Sequence, residues 1–373
     1  MDHKGRQTRL RTSLEASRLD GILVTHLPNV RYLCGFTGSA GVLAIVVAKR
    51  GSKAIFFTDG RYTDQAKEQV RGATIRISKR PAMVEAAAWL VKERCKRLGI
   101  ESQHMTVASR DTLAAFTRAK IKLVSTREIV ESLRMLKEPE EIGQIRAAVL
   151  LASQVFETVV HDIKAGVPES SIAAEIEYLC RRMGAEGMSF DTLVSAGLRS
   201  ALPHGVASAA PIPAKGFVIL DFGVILGGYC SDMTRTVHVG APSDKHRKMY
   251  AAVLEAQLAG IEAVRPGVKA SAVDSAARKV LEKAGLGRYF THSTGHGVGL
   301  EIHEPPGLRK MVATGGRQRS ATADVTLKPG MVITIEPGVY ISGVGGVRIE
   351  DMVLVTEQGS DVLTPTRKEL ILL

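Results

Sequence analysis

The chain has 373 residues, 45% hydrophobic and 24% charged, which is the balance of an ordinary globular protein with room for two domains. Its formal charge of +12 raises nucleic acid as a partner, yet the basic residues fall in short scattered clusters such as KERCKR at 92–97 and KHRK at 245–248, and only 5% of residues are aromatic. Without a basic arm or stacking platforms the charge reads as a solvated surface, and no nucleic-acid partner is expected.

The N-terminal stretch MDHKGRQTRLRTSLEASRLDG lacks the apolar run of a signal peptide, and no segment approaches the roughly 18 apolar residues of a membrane span. Cys34, Cys95, Cys180 and Cys230 are scattered, with no CxxC spacing, as free thiols in a reducing cytoplasm would be. A cytoplasmic protein without a membrane partner is therefore expected. Residues 8–130 alternate between helix and strand. A basic helix is followed by DGILVT, VLAIVVA and AIFFTDG as strands, an Ala-rich helix around Met83–Arg97, and MTVAS as a further strand. Glu138-Pro139-Glu140-Glu141 marks a helix start, with proline and acids in the first turn. The pattern predicts a mixed α/β domain over 1–133 and a second, α+β domain over 134–373.

The second domain carries a faint internal duplication. VFETVVHDIKAGVPESSIAAEIEYLCRRMGAEG aligns with LAGIEAVRPGVKASAVDSAARKVLEKAGLG, each a helix, a Gly turn and a second helix. Each copy is followed by an apolar run ending in an acid, a Gly-rich turn, and a second acid on the return. The first is VILDFGVILGGYCSDM, with Asp221 and Asp232; the second is VITIEPGVYISGVGGVRIEDM, with Glu336 and Glu350. Between the copies' motifs, ATGGRQRSATAD (313–324) reads as a solvated surface insertion.

Four carboxylates at matching places in two hairpins are costly to bury unless cations neutralise them, and two divalent ions would cancel their charge. HSTGHGVGLEIHE supplies imidazoles at His292, His296 and His303, and GLEIH reads as a strand after the glycines. Oxygen donors with one nitrogen suit Mn²⁺, Co²⁺, Zn²⁺ or Fe²⁺. Two such ions can share and deprotonate a water while polarising a carbonyl. Arg348 and Glu350 are two residues apart and should share a strand face. HExxH and GxSxG are absent.

Together, SFDTLVSAGLRSALPHG (189–205), LDFGVILGGYCSDMTRT (220–236), HSTGHGVGLEIHE (292–304), LKPGMVITIEPGVY (327–340) and GGVRIED (345–351) closely resemble the metallopeptidases of the pita-bread fold. The likeness is strongest to Xaa-Pro aminopeptidases and Xaa-Pro dipeptidases (prolidases). NVRYLCGFTGSAG (29–41) and FTDGRYTDQA (57–66) are similar to the smaller creatinase-type N-terminal domain of that family.

The resemblance implies a pita-bread catalytic domain with pseudo-two-fold duplication and two divalent ions, Mn²⁺ first, with Co²⁺ or Zn²⁺ as alternatives. The implied metal ligands are Asp221, Asp232, His296, Glu336 and Glu350. Glu336 also takes an acid/base role beside the catalytic His204 and His303, and His204, His292, Tyr340 and Arg348 bind substrate. The implied reaction is cleavage of an N-terminal Xaa-Pro bond by a hydroxide shared between the ions. Aminopeptidase is the leading expectation, dipeptidase the alternative, and a non-catalytic binding module the alternative of a different class. A homodimer acting on peptides with proline second is also implied.

Overall fold

A computed structural model describes residues 1–48, 51–118, 120–309 and 324–373. Of the expected insertion at 313–324, all but Asp324 lies outside the described residues. The chain divides into two units, Met1–Arg134 and Met135–Leu373.

The first unit is built on strands β1 (Gly21–Val24), β2 (Val42–Val47), β3 (Ser52–Asp59), β4 (Thr74–Ser78), β5 (Arg97–Glu101) and β6 (Lys122–Thr126). They lie in the order β4-β3-β2-β1-β5-β6, antiparallel at β1–β2 and β2–β3 and parallel elsewhere. The apolar run GILV becomes the buried centre of the sheet, and Phe57, Trp89, Leu90 and Leu98 pack in its core. Two local expectations are corrected. MTVAS is not a strand: the Thr106 hydroxyl accepts from Ser109 N (3.1 Å) and caps a helix over Val107–Thr117, with Val107 exposed on its surface. The Ala-rich helix spans Ala82–Lys92 and stops before Arg94, whose φ of 59° no helix continues; Arg97 then opens β5.

The second unit confirms the duplication. Helix Pro139–Val159 starts with Pro139 in its first turn and a capping box between Glu138 and Glu141, and helix Glu169–Arg182 follows. Helices Asp244–Ala263 and Ala270–Lys283 repeat the pair. The connecting turns match in detail. Gly166 and Gly267 take φ of 87° and 86°, a left-handed conformation that suits glycine. Gly166 N donates to Ile212 O (2.8 Å) and Gly267 N to Leu327 O (2.9 Å).

In the first half, β7 (Gly187–Met188) pairs with β10 (Val224–Leu226), while β8 (Leu193–Ala196), β9 (Gly216–Phe222) and β12 (Met233–Val239) form one antiparallel sheet. β10 and β11 (Tyr229–Cys230) make the hairpin between β9 and β12. In the second half β13 (Gly295–Gly297), β14 (Glu304–Leu308), β15 (Val332–Ile335), β18 (Asp351–Val355) and β19 (Ser360–Val362) form a sheet ordered β14-β13-β15-β18-β19. The hairpin of β16 (Gly338–Ile341) and β17 (Gly345–Arg348) sits between β15 and β18, as β10–β11 does in the first half.

The halves meet edge to edge. Glu350 N donates to Thr234 O (3.1 Å), Thr236 Oγ1 donates to Arg348 O (2.8 Å), and Arg348 N donates to Thr236 Oγ1 (3.1 Å). GLEIH, expected as a strand, is instead a reversal: Gly299 N donates to Glu301 O and Glu301 N to Glu304 Oε1, and the strand begins at Glu304. The turn is needed because β14 must come back antiparallel to β13. Among the described residues no helix is long and apolar enough to cross a membrane.

Candidate metal centre

The two acidic pairs converge on the seam between the halves. Asp221 lies near the end of β9 opposite Thr234, and Glu336 follows β15 directly. The second acids are not within the returning strands, as the sequence suggested, but immediately before them. Asp232 precedes Met233 at the start of β12, and Glu350 precedes Asp351 at the start of β18. This short non-strand link aims each carboxylate across the seam. His296 comes from the middle of β13, where a Cβ on Gly295 would meet Thr334 O at 2.0 Å and one on Gly297 would meet Pro305 O at 2.3 Å. Glycine on both sides lets this short strand nest between its neighbours.

The hydrogen bonds define what the centre can hold. His296 Nδ1 faces Gly297 O at 3.0 Å and must donate to it. In the neutral ring Nε2 then presents a lone pair, facing Glu336 Oε1 at 3.4 Å and Asp232 Oδ2 at 3.6 Å. Burial pushes the His296 pKa down, which favours this neutral form. Ligand atoms of Asp232, His296 and Glu350 lie within 4.8 Å of one another. Asp221 Oδ1 is buried without a hydrogen-bond partner. A ring-nitrogen lone pair set against two carboxylate oxygens, with a further carboxylate oxygen buried and unpartnered, lacks a positive charge at its centre, and carboxylate oxygens with one imidazole nitrogen are a donor set for a divalent cation. The residues present fit a metal centre.

The carboxylates respond accordingly. Burial pushes Asp232 well up, reinforced by Glu350, Asp221 and Glu336, and burial with Glu336 and Asp221 does the same to Glu350. Glu336 is pushed up to about 7 by burial, against the pull of Arg348 and with a further push from Asp221. Burial opposes the Arg348 charge, yet Tyr340, Asp221, Glu336 and Glu350 outweigh it and hold the guanidinium protonated.

Arg348 is fully engaged. It pairs with Asp221 Oδ2 and donates to Tyr340 Oη (2.6 Å), Pro203 O (3.1 Å) and Thr234 Oγ1 (3.0 Å). The chain continues from Tyr340, whose hydroxyl lies 3.0 Å from His292 Nε2, while His292 Nδ1 faces Ser293 O at 2.8 Å. Since Nδ1 must donate, Nε2 accepts from Tyr340. Burial lowers His292 to about 4, so it is neutral at physiological pH. His303 meets the His296 ring edge-on at 4.3 Å, and burial first, then repulsion between the two imidazoles were both protonated, pushes its pKa down.

All ten expected site residues thus fall in one region. Nine of them, together with Phe190, Leu193, Val206, Ile302 and Arg309, line a cleft of about 540 Å³; the tenth, Tyr340, sits behind Arg348 and His292. His204 and His303 are exposed on its wall. Three orienting residues escaped the sequence reading. Thr234 Oγ1 donates to Glu350 Oε2 (2.6 Å), and Thr334 Oγ1 donates to Glu336 Oε1 (3.2 Å) while accepting from His296 N (3.1 Å). Each lies two residues from an acid, and the alternation that paired Arg348 with Glu350 would have found both. Arg235, on the opposite face, donates to Glu350 O and to Asp351 Oδ1 (2.7 Å), and no local signal marks it.

Comparison with known proteins agrees with this geometry. The profile described as metallopeptidase family M24 matches residues 143–357, and the creatinase/prolidase N-terminal domain matches residues 6–136. The chain is 37% identical to an Xaa-Pro dipeptidase of Pyrococcus horikoshii, over 96% of each chain. Among solved structures, an Xaa-Pro dipeptidase from Bacillus anthracis superimposes with a TM-score of 0.93 at 41% identity, over the whole of both chains. An X-Pro aminopeptidase from Thermotoga maritima gives 0.85 at 32% identity, covering 97% of this chain and 100% of that one. With its metal-centre region matched by one profile and its length matched end to end by such relatives, the chain belongs to metallopeptidase family M24.

Proposed function

We propose that the protein is an Xaa-Pro dipeptidase that uses two divalent ions, Mn²⁺ first, held by Asp221, Asp232, His296, Glu336 and Glu350. The observation that carries this reading is the His296 Nε2 lone pair set against the Glu336 and Asp232 carboxylates at a cleft of about 540 Å³, within the range of about 300–1,000 Å³ typical of small-ligand sites. The aminopeptidase expectation drawn from the sequence gives way to the dipeptidase because the more similar named relatives are Xaa-Pro dipeptidases. The aminopeptidase remains a second reading through its likeness to the Thermotoga maritima enzyme.

When bound, two such ions would bring a shared water near neutral acidity and polarise the scissile carbonyl. The chain's own residues supply the rest. Glu336, whose carboxylate faces His296 Nε2, can take a proton from the attacking water and return it to the departing proline nitrogen. His303 stands exposed beside His296, where it can hydrogen-bond the oxygen that becomes negative as the carbonyl is attacked. Proline in second place makes the bond a tertiary amide with no N–H to satisfy. Phe190, Leu193, Val206 and Ile302 give the pyrrolidine ring apolar walls, and His204 and Arg309 offer cationic or donor groups for a terminal carboxylate. Arg348 is committed to Asp221 and Tyr340 and acts by holding them. The reading includes a cytoplasmic homodimer, with no nucleic-acid or membrane partner.

The test is turnover by chelated protein resupplied with Mn²⁺, Co²⁺ or Zn²⁺. Xaa-Pro dipeptides should be cleaved with Mn²⁺, and tripeptides poorly. Cleavage of Xaa-Pro-Yaa and longer peptides in preference would establish the aminopeptidase instead. No hydrolysis with any metal would leave the non-catalytic reading.

A further inference from the structure

Each half of the second unit contains a completely buried carboxylate outside the metal centre, and each is wired to a loop that delivers one cleft histidine. In the first half the acid is Glu169, in the first turn of helix Glu169–Arg182. Its Oε1 accepts from Ala196 N (2.8 Å), and its Oε2 accepts from Ser208 N (3.1 Å) and Ser208 Oγ (2.7 Å). Arg199 Nε donates to both oxygens (3.2 and 3.0 Å), and Arg199 Nη2 reaches Val206 O (2.8 Å). Both ends of the segment 196–208 are therefore gathered on one carboxylate, with an arginine strut across its middle. His204 is carried by that segment.

In the second half the acid is Asp274, on helix Ala270–Lys283. Its Oδ1 accepts from Thr294 N (3.1 Å) and Thr294 Oγ1 (2.8 Å). Arg278 donates Nε to Asp274 Oδ2 (2.9 Å) and Nη2 to Oδ1 (3.1 Å), and then to Phe290 O (3.0 Å) and His292 O (2.6 Å). The arginine face also lies on the Phe290 ring, 4.1 Å from its centroid. His292 is thus held through its own carbonyl and through both flanks of its loop.

A buried carboxylate that gathers several donors is expensive to desolvate, and two of them doing the same work, one in each half, argue against incidental core polarity. Loops that line active sites gain precision when such a shell fixes them. We propose that Glu169 with Arg199, and Asp274 with Arg278, are positioning residues that set His204 and His292 at the substrate end of the cleft. They act on the grip of the substrate's proline residue while leaving the metal ligands in place. The substrate part of this assignment rests on the proposed Xaa-Pro activity; the positioning part does not.

Arg199→Gln and Arg278→Gln are the informative variants, because both arginine side chains are partly exposed (38% and 20%), so water and the glutamine amide can reach the space the guanidinium leaves, and a melting curve checks that each variant is folded. Glu169→Gln and Asp274→Asn make a second pair. Two readouts apply to protein loaded with diamagnetic Zn²⁺ or with Mn²⁺. The first is the imidazole ¹H–¹⁵N spectrum of the Zn²⁺ form, with His204 and His292 assigned by substitution. Arg278→Gln should shift the His292 signals and leave His204 alone, and Arg199→Gln should do the reverse. The second is kinetic with the Mn²⁺ form: each variant should raise KM for Xaa-Pro substrates by about tenfold, with kcat held within about twofold. Both signal sets moving together in each variant, or neither moving, would overturn the positioning role. A fall in kcat with KM unchanged would overturn the substrate role. If the wild type cleaves no Xaa-Pro peptide, the activity fails while the crossed spectral pattern still decides the positioning.

Discussion

Removing the divalent ions should make the protein less stable as the pH rises, the opposite of ordinary acid denaturation. The reason lies in the carboxylate cluster. Glu336 has an ordinary value of 4.5 and stands at about 7 in the folded chain, raised first by burial. Between those values the folded chain keeps a proton that the unfolded chain has lost, so its stabilising effect is fully present below the lower value and gone above the upper one. At about 1.4 kcal/mol per pH unit the gap corresponds to about 3 kcal/mol, and Asp232 and Glu350, also raised, act in the same direction. For a unit of this size each kcal/mol moves the melting temperature by roughly 2–4 °C, so about 6–12 °C should be lost between about pH 4 and pH 8. Ions take the place of the protons, so the Mn²⁺-loaded protein should show little slope over the same range. Calorimetry of chelated and loaded protein across that range is the assay. A chelated protein whose melting temperature holds level or climbs with pH, or a loaded one that falls as steeply, would refute the reasoning.

Two further perturbations probe the surroundings of the centre. Tyr340→Phe removes the hydroxyl that accepts from Arg348 and donates to His292, and should lower kcat/KM by about ten- to a hundredfold, from the roughly 1–3 kcal/mol of a buried bond left unmade. Steady-state kinetics on protein shown by its melting curve to be fully folded at the assay temperature would establish it, and wild-type kinetics would exclude it. Lys137→Met removes the ammonium partner of Glu304 in a buried pair at 3.0 Å, next in sequence to His303. Urea unfolding should register a loss of about 3–5 kcal/mol, and Glu304→Gln in the same protein should restore most of it. A single-variant loss below about 1 kcal/mol would mean the pair does not matter.

The parts of the site that were legible in the sequence share one property: they are repeated or closely spaced. Asp221 with Asp232 and Glu336 with Glu350 announced themselves because two hairpins of the same design are improbable together, and the helices preceding them repeat down to Gly166 and Gly267. Fold class followed from that duplication and from the family motifs. What was not legible depends on partners far apart in the chain. Lys137 meets Glu304 and Arg235 meets Asp351 across more than a hundred residues, and no local pattern signals either contact. Local readings failed where a cap or a reversal overrode composition, as with Thr106 before Val107 and with the turn after Gly299. Thr234 and Thr334 belong to neither group. They were within reach of the strand period, but threonine among apolar residues reads as an ordinary strand former.

The seam between the halves has a consequence for how the molecule can change. Asp221 and Asp232 are contributed by one half and His296, Glu336 and Glu350 by the other, and Thr236 with Arg348 fastens the two edges at the same level. The spacing of the carboxylates therefore gauges the alignment of two separately packed bodies. A substitution that shifts a strand by a fraction of an ångström in either core, far from the cleft, is registered as a change in ligand separation. Neither copy of the repeat can shift alone, and each is held to its dimensions by the other.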